Sequence, residues 1–100
     1  MHDFRSLQLA AAFYRSAKTV PLSGDLKDQL IRAASSACLN LAEGRGRGSH
    51  KDQVRFFHIA LGSLRECQAV FIIEDLCKST AWRELDAATA SVYRLIERAR

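Results

Sequence analysis

Helix-breaking residues are few in this chain, and all but one sit in two places. Of 100 residues one is proline, Pro21, and five are glycine, three of them between Gly44 and Gly48. Proline lacks an amide donor and biases the residue before it away from helical dihedrals, so the Thr19-Val20-Pro21 segment ends whatever precedes it. Between the two breaker sites, and again after the second, the chain runs on with only Gly62 as a weak point. Apolar residues, 48% of the total, recur there at three- and four-residue steps rather than in alternation, which is the period of helices and not of strands. The expected fold is all-α: one domain over residues 1–100, an antiparallel up-down four-helix bundle with short loops.

The helices are expected over about 3–18, 25–43, 50–78 and 80–99. In the first, Phe4, Leu7, Ala11 and Tyr14 mark one face, with Leu9, Ala10 and Phe13 as a second apolar strip. The second opens at Ser23 or Asp25 as N-cap and carries Leu26, Leu30, Ala33 or Ala34, Ala37 and Leu41 inward. Its middle, Ala33 to Ala37, has so little side-chain bulk that a partner helix can approach closely, and Gly44 fits the left-handed position that stops a helix. Ser49 caps the third helix, with Asp52 reaching back in a capping-box arrangement. The fourth starts at Ser79 or Thr80 and steps through Trp82, Leu85, Thr89, Val92 and Ile96.

The third helix bears two apolar stripes: Val54, Phe57, Leu61, Leu64, Phe71 with Ile72, and Leu76; then Phe56, Ile59 with Ala60, Cys67, Val70 and Ile73. One stripe suffices to pack a helix in a bundle. The second needs another cover, so Phe56, Ile59, Val70 and Ile73 are expected at an interface between copies of the chain.

A formal charge of +4 and a pI near 9.3 bear on partners and not on fold. Three cysteines, Cys38, Cys67 and Cys77, have no metal-binding spacing and read as core thiols of a reducing compartment. His50 and His58 are two turns apart, too far for a chelating pair, and His2 falls in an expected frayed terminus. No metal or cofactor is expected. Residues 1–20 lack the apolar segment of a signal peptide, and no uninterrupted apolar run reaches the ~20 residues of a membrane span; the expected location is the cytoplasm.

Two constellations carry polar chemistry. Arg45, Arg47, Lys51 and Arg55, near His50, include only Asp52 as a neighbouring acid. With the amides at the start of the third helix they suit the phosphates of a nucleic-acid backbone, contacts that position without reading sequence. Arg32, and more weakly Arg15 and Lys18, join them. The alternating Gly-Arg loop is neither a Walker nor a Rossmann motif. The second constellation is Asn40 and Glu43. A carboxylate at a helix C-terminus faces the negative end of the dipole, so Glu43 needs compensation from Arg47, Arg55 or the next helix's amides. Asn40, one turn after Ser36, is expected to bond across to that helix. Ser36, Asn40, Glu43, Gly44 and Ser63 then make a structural clasp; acid–base catalysis would need a second positioned group and a cleft.

The order of these residues also carries a resemblance. Pro21-Leu22-Ser23 is followed by Leu26, Gln29-Leu30, Arg32-Ala33-Ala34 and Ser36. Next come Asn40-Leu41-Ala42-Glu43-Gly44 with Gly46, then Phe57 and Ala60-Leu61-Gly62-Ser63-Leu64 with Glu66. This resembles the bacterial four-helix-bundle proteins encoded by intervening sequences in 23S rRNA genes, strongly over residues 21–66. The resemblance implies a non-enzymatic bundle assembling as a homopentameric ring. The related accessory variability determinant of diversity-generating retroelements implies nucleic acid and a reverse transcriptase as partners. The functional expectation is an oligomer that binds structured RNA or DNA through phosphates. The alternative is a scaffold that docks a partner protein such as a reverse transcriptase.

Overall fold

A computed structural model describes residues 4–99, and all regular structure among them is helical: α1 (Arg5–Ala17), α2 (Gly24–Arg45), α3 (His50–Ile73) and α4 (Thr80–Ala99). What was expected of His2 and Asp3 lies outside these residues. α1 packs on α2 and α4, α3 on α2 and α4, so the helices stand in cyclic order around one core. Leu30 faces Cys67, Ser36 faces Ser63 and Gly44 meets Phe57, a pairing that runs α2 and α3 in opposite directions. Phe13 of α1 crosses the centre to Phe71 of α3, ring centroids 5.9 Å apart, and Trp82 of α4 meets Phe71 at 6.1 Å.

The expected stripes of α2 and α4 face the core, with Leu26, Trp82 and Thr89 only half-buried. Leu30, Ala33, Ala34, Ala37 and Leu41 line the core from α2; Leu85, Val92 and Ile96 line it from α4. Ser79 caps α4, its hydroxyl accepting from the Trp82 amide at 3.1 Å. Lys27 of α2 closes the far end of α1, donating to the carbonyls of Lys18 (2.8 Å) and Val20 (2.7 Å), which a helix C-terminus otherwise leaves unmet.

Four expectations are corrected. In α1 the buried face is Ser6, Ala10, Phe13 and Ala17, while Leu7 and Tyr14 are only half-buried. Ser6 turns inward because its hydroxyl meets that of Ser91 on α4, 2.7 Å away, and a buried polar pair is invisible to apolar periodicity. In α2, Gly44 does not stop the helix, which runs on to Arg45 with Gly46 as C-cap at φ −84°.

The third correction concerns α3, which ends at Ile73 and not near residue 78. Asp75 takes a left-handed φ of 56°, and the amides of Leu76 and Asp75 donate to the carbonyls of Phe71 (2.8 Å) and Ile72 (3.3 Å). These two bonds make a Schellman motif, built on an aspartate where glycine is usual, which is why the sequence shows no stop signal. Asp tolerates this conformation at a cost that Gly avoids. Asp75→Gly is expected to raise unfolding free energy by roughly 0.5–1 kcal/mol in urea titration, and a loss of stability would overturn the motif's role.

The α3 stripes also sort differently. Its core face takes Phe57, Ala60, Leu61, Leu64, Cys67, Val70 and Phe71 from both stripes, while Ile72, assigned inward, is 64% exposed. Val70, expected at a subunit interface, is 4% exposed and packs within the bundle. Among the described residues α3 is the one helix long and apolar enough to cross a membrane by composition. Here it is a core helix, with Lys51, Arg55, Arg65 and Glu66 on its exposed face.

Candidate nucleic-acid interface

The α2–α3 corner is shaped by a missing side chain. Gly44 is buried, and a Cβ there would lie 2.7 and 2.9 Å from the Phe57 ring and 3.0 Å from Phe56 Cβ. Glycine lets the end of α2 press on the aromatic pair at the start of α3. The chain then leaves the helix through Gly46, whose amide donates to Ala42 and Glu43 carbonyls at 3.3 and 3.2 Å. Ser49 caps α3 by accepting from the Asp52 amide at 3.2 Å, one half of the expected capping box.

On this frame the basic side chains take fixed positions. Arg47 and Arg55 both stack on Phe56, guanidinium carbons 4.8 and 4.4 Å from the ring centroid, and Arg45 stacks on Phe4 at 4.6 Å. Phe56 therefore underlies the basic corner as well as edging the surface expected between subunits. Glu43 finds its compensation in Arg47 at 3.0 Å, and Asp52 pairs with Arg55 at 3.6 Å. Both pairs are substantially exposed, where ion pairs hold weakly, and a phosphate can displace the carboxylates. Lys51 is exposed beside them. Arg32 is not brought to this corner: it lies thirteen residues before Arg45 on the same helix, about 20 Å at 1.5 Å per residue. Arg15 and Lys18 sit at the opposite end of the bundle.

The clasp forms in an altered pattern. Asn40 Nδ2 donates within α2 to the Ser36 carbonyl (2.8 Å) and hydroxyl (3.2 Å). The crossing to α3 is made by the Ser36 and Ser63 hydroxyls at 3.3 Å, so Ser36 is the bridge and Asn40 its support. Glu43 turns outward to Arg47 and does not enter this chain. Burial pushes the Cys67 thiol up to about 12, with Glu66 and Cys38 adding to the shift, and burial likewise raises Cys38. Such thiols stay protonated and unreactive at neutral pH.

The residues that sequence reasoning missed at this end come from the other two helices. Up-down topology brings the start of α1 and the end of α4 beside the α2–α3 corner, adding Arg5, Arg94 and Arg98. The signal was available: in any four-helix up-down bundle, the N-termini of the first and third helices share an end with the C-termini of the second and fourth.

Fold and surface together define a class: an up-down four-helix bundle with arginine-rich side chains gathered at one end. The chain belongs to the 23S rRNA-intervening sequence protein family, whose profile matches residues 4–98. No curated protein matches it.

Proposed function

We propose that the protein is a non-enzymatic, cytoplasmic accessory factor that assembles as a homo-oligomer, a pentameric ring by its family resemblance, and binds structured RNA or DNA through backbone phosphates. The observation that carries this reading is the stacking of Arg45, Arg47 and Arg55 on Phe4 and Phe56. Stacking holds the guanidinium planes in place, reducing the ordering that a phosphate contact otherwise demands. A ring of five copies would carry a formal charge of about +20 and a more continuous basic surface. Binding measured by fluorescence anisotropy is expected to fall steeply with salt, each neutralised phosphate contributing about −0.9 to the log–log slope on duplex DNA. An affinity indifferent to salt, or unchanged in the Arg45/Arg47/Lys51/Arg55→Ala variant, refutes the reading.

The oligomer rests on apolar side chains that the bundle leaves in water. Ile59 (42%), Ile72 (64%) and Ile73 (72%) on α3, with Leu39 (70%) on α2, are exposed, and another subunit would cover them. Light scattering at micromolar concentration is expected to return a multiple of 11.2 kDa; a monomer sinks this part of the proposal. The same exposed residues favour the second reading, a scaffold docking a partner protein such as a reverse transcriptase. Recovery of one protein from nuclease-treated lysate, with no nucleic-acid affinity in the purified chain, would select it.

A further inference from the structure

A cavity of about 580 Å³ opens at the basic end, between the start of α1 and the end of α4. Ligand pockets ordinarily span about 300–1,000 Å³. Four arginines line it: Arg5 from α1, Arg45 from α2, and Arg94 and Arg98, one turn apart on α4. No carboxylate is among the described residues of its lining. The remaining walls include Phe4 and Phe57, while the hydrogen-bonded Ser6 and Ser91 hydroxyls, 3% and 6% exposed, border it from inside.

Helix dipoles explain part of this arrangement and leave part unexplained. Arg45 and Arg98 lie in the last turns of their helices, where a cation is favoured. Arg5 does not: it is the first residue of α1, whose opening turn has no acidic residue and whose N-cap, Phe4, makes no side-chain capping bond. A cation at that positive end, lining the same cavity as Arg94 and Arg98, is stabilised by an anion between them. Guanidinium forks match the oxygens of a phosphate bidentately, and a multiply charged terminal phosphate exploits several forks at once. In the Ser6–Ser91 pair one hydroxyl proton is used internally and the other is left to donate.

We infer that this cavity binds a phosphate monoester, held by Arg5, Arg94 and Arg98 with Arg45 at its edge. Two sources share that chemistry, a free mononucleotide and the 5′-phosphorylated end of a nucleic-acid strand. The inference stands apart from backbone binding at the α2–α3 corner, because Arg47, Lys51 and Arg55 do not line the cavity.

Isothermal titration of the full chain with adenosine 5′-monophosphate, adenosine, and a short RNA with and without a 5′-phosphate tests it. The monophosphate is expected to bind at least about tenfold more tightly than adenosine, as charge-assisted hydrogen bonds to several guanidiniums require. Arg94→Ala/Arg98→Ala is expected to remove that advantage, and Arg47→Ala/Lys51→Ala/Arg55→Ala to keep it. These arginines are exposed, and circular dichroism confirms that each variant is folded. Equal binding of both RNAs beside tight monophosphate binding assigns the site to free nucleotides; preference for the phosphorylated RNA over both assigns it to strand ends. Monophosphate binding no tighter than adenosine, with both RNAs alike, or binding insensitive to Arg94 and Arg98, overturns the inference.

Discussion

Gly44→Val is expected to lower the melting temperature by ten degrees or more, on the order of 3 kcal/mol in a domain where each kcal/mol shifts the midpoint by about 4–8 °C. Even the first added carbon would lie 2.7 Å from the Phe57 ring, well inside van der Waals contact. The ring has nowhere to retreat: Phe57 is 3% exposed and faces Phe4 with centroids 6.2 Å apart. Overpacking of this kind costs about 1–3 kcal/mol per site, and the branched valine adds two methyls to it. The opposing term, glycine's poor helix propensity, is worth only about 1 kcal/mol. Gly62 supplies the control, since a Cβ there meets nothing within 4 Å; the same melt should show Gly62→Ala at or above the parent. A Gly44→Val protein melting with the parent would mean that the corner is not close-packed. Because Phe56, whose Cβ lies 3.0 Å from that added carbon, seats Arg47 and Arg55, the variant should also weaken any phosphate contact at that corner.

Phe71→Ala should remove a still larger share of the stability, about 3–5 kcal/mol in urea or guanidinium titration. Phe71 is fully buried and joins three helices, its ring against Phe13 of α1 and Trp82 of α4. Domains of this size are stable by only about 5–15 kcal/mol, so the variant will sit near its unfolding threshold at room temperature. Its neighbour provides the contrast. Ile72 is 64% exposed, and Ile72→Ala should change the unfolding free energy of an isolated subunit by no more than about 0.5 kcal/mol. A large loss there, dependent on protein concentration, would place Ile72 between subunits. If Phe71→Ala proved as mild, the centre of the bundle would be wrong.

The helical stretches and most of the core were legible in the residues because burial in a helix leaves a 3.6-residue imprint. Leu30, Ala37 and Leu41, or Leu85, Val92 and Ile96, could be assigned inward from spacing alone. The pattern failed where the environment, and not the side chain's own polarity, decides orientation. Ser6 is inward because Ser91 faces it from 85 positions away, and Val70 is inward while Ile72 and Ile73 are outward, though all three are apolar. The end of α3 was illegible for a local reason, since Asp75 takes a conformation ordinarily signalled by glycine.

The candidate site divides along the same line. Arg45, Arg47, Lys51 and Arg55 are close in the chain, and a loop and one helix turn are enough to gather them; local sequence determined that cluster, the Ser49 cap and the pairing of Glu43 with a nearby arginine. Only the tertiary structure decided that Phe56 would lie under two guanidiniums, that Gly44 would serve close packing and not helix termination, and that Arg32 would be left far from the corner. It also shaped the cavity that Arg5, Arg94 and Arg98 line with Arg45. The physical reason is range: helix propensity, caps and i, i+4 spacing act within a turn or two, whereas the meeting of the start of α1 and the end of α4 at one face follows from packing four helices in antiparallel order.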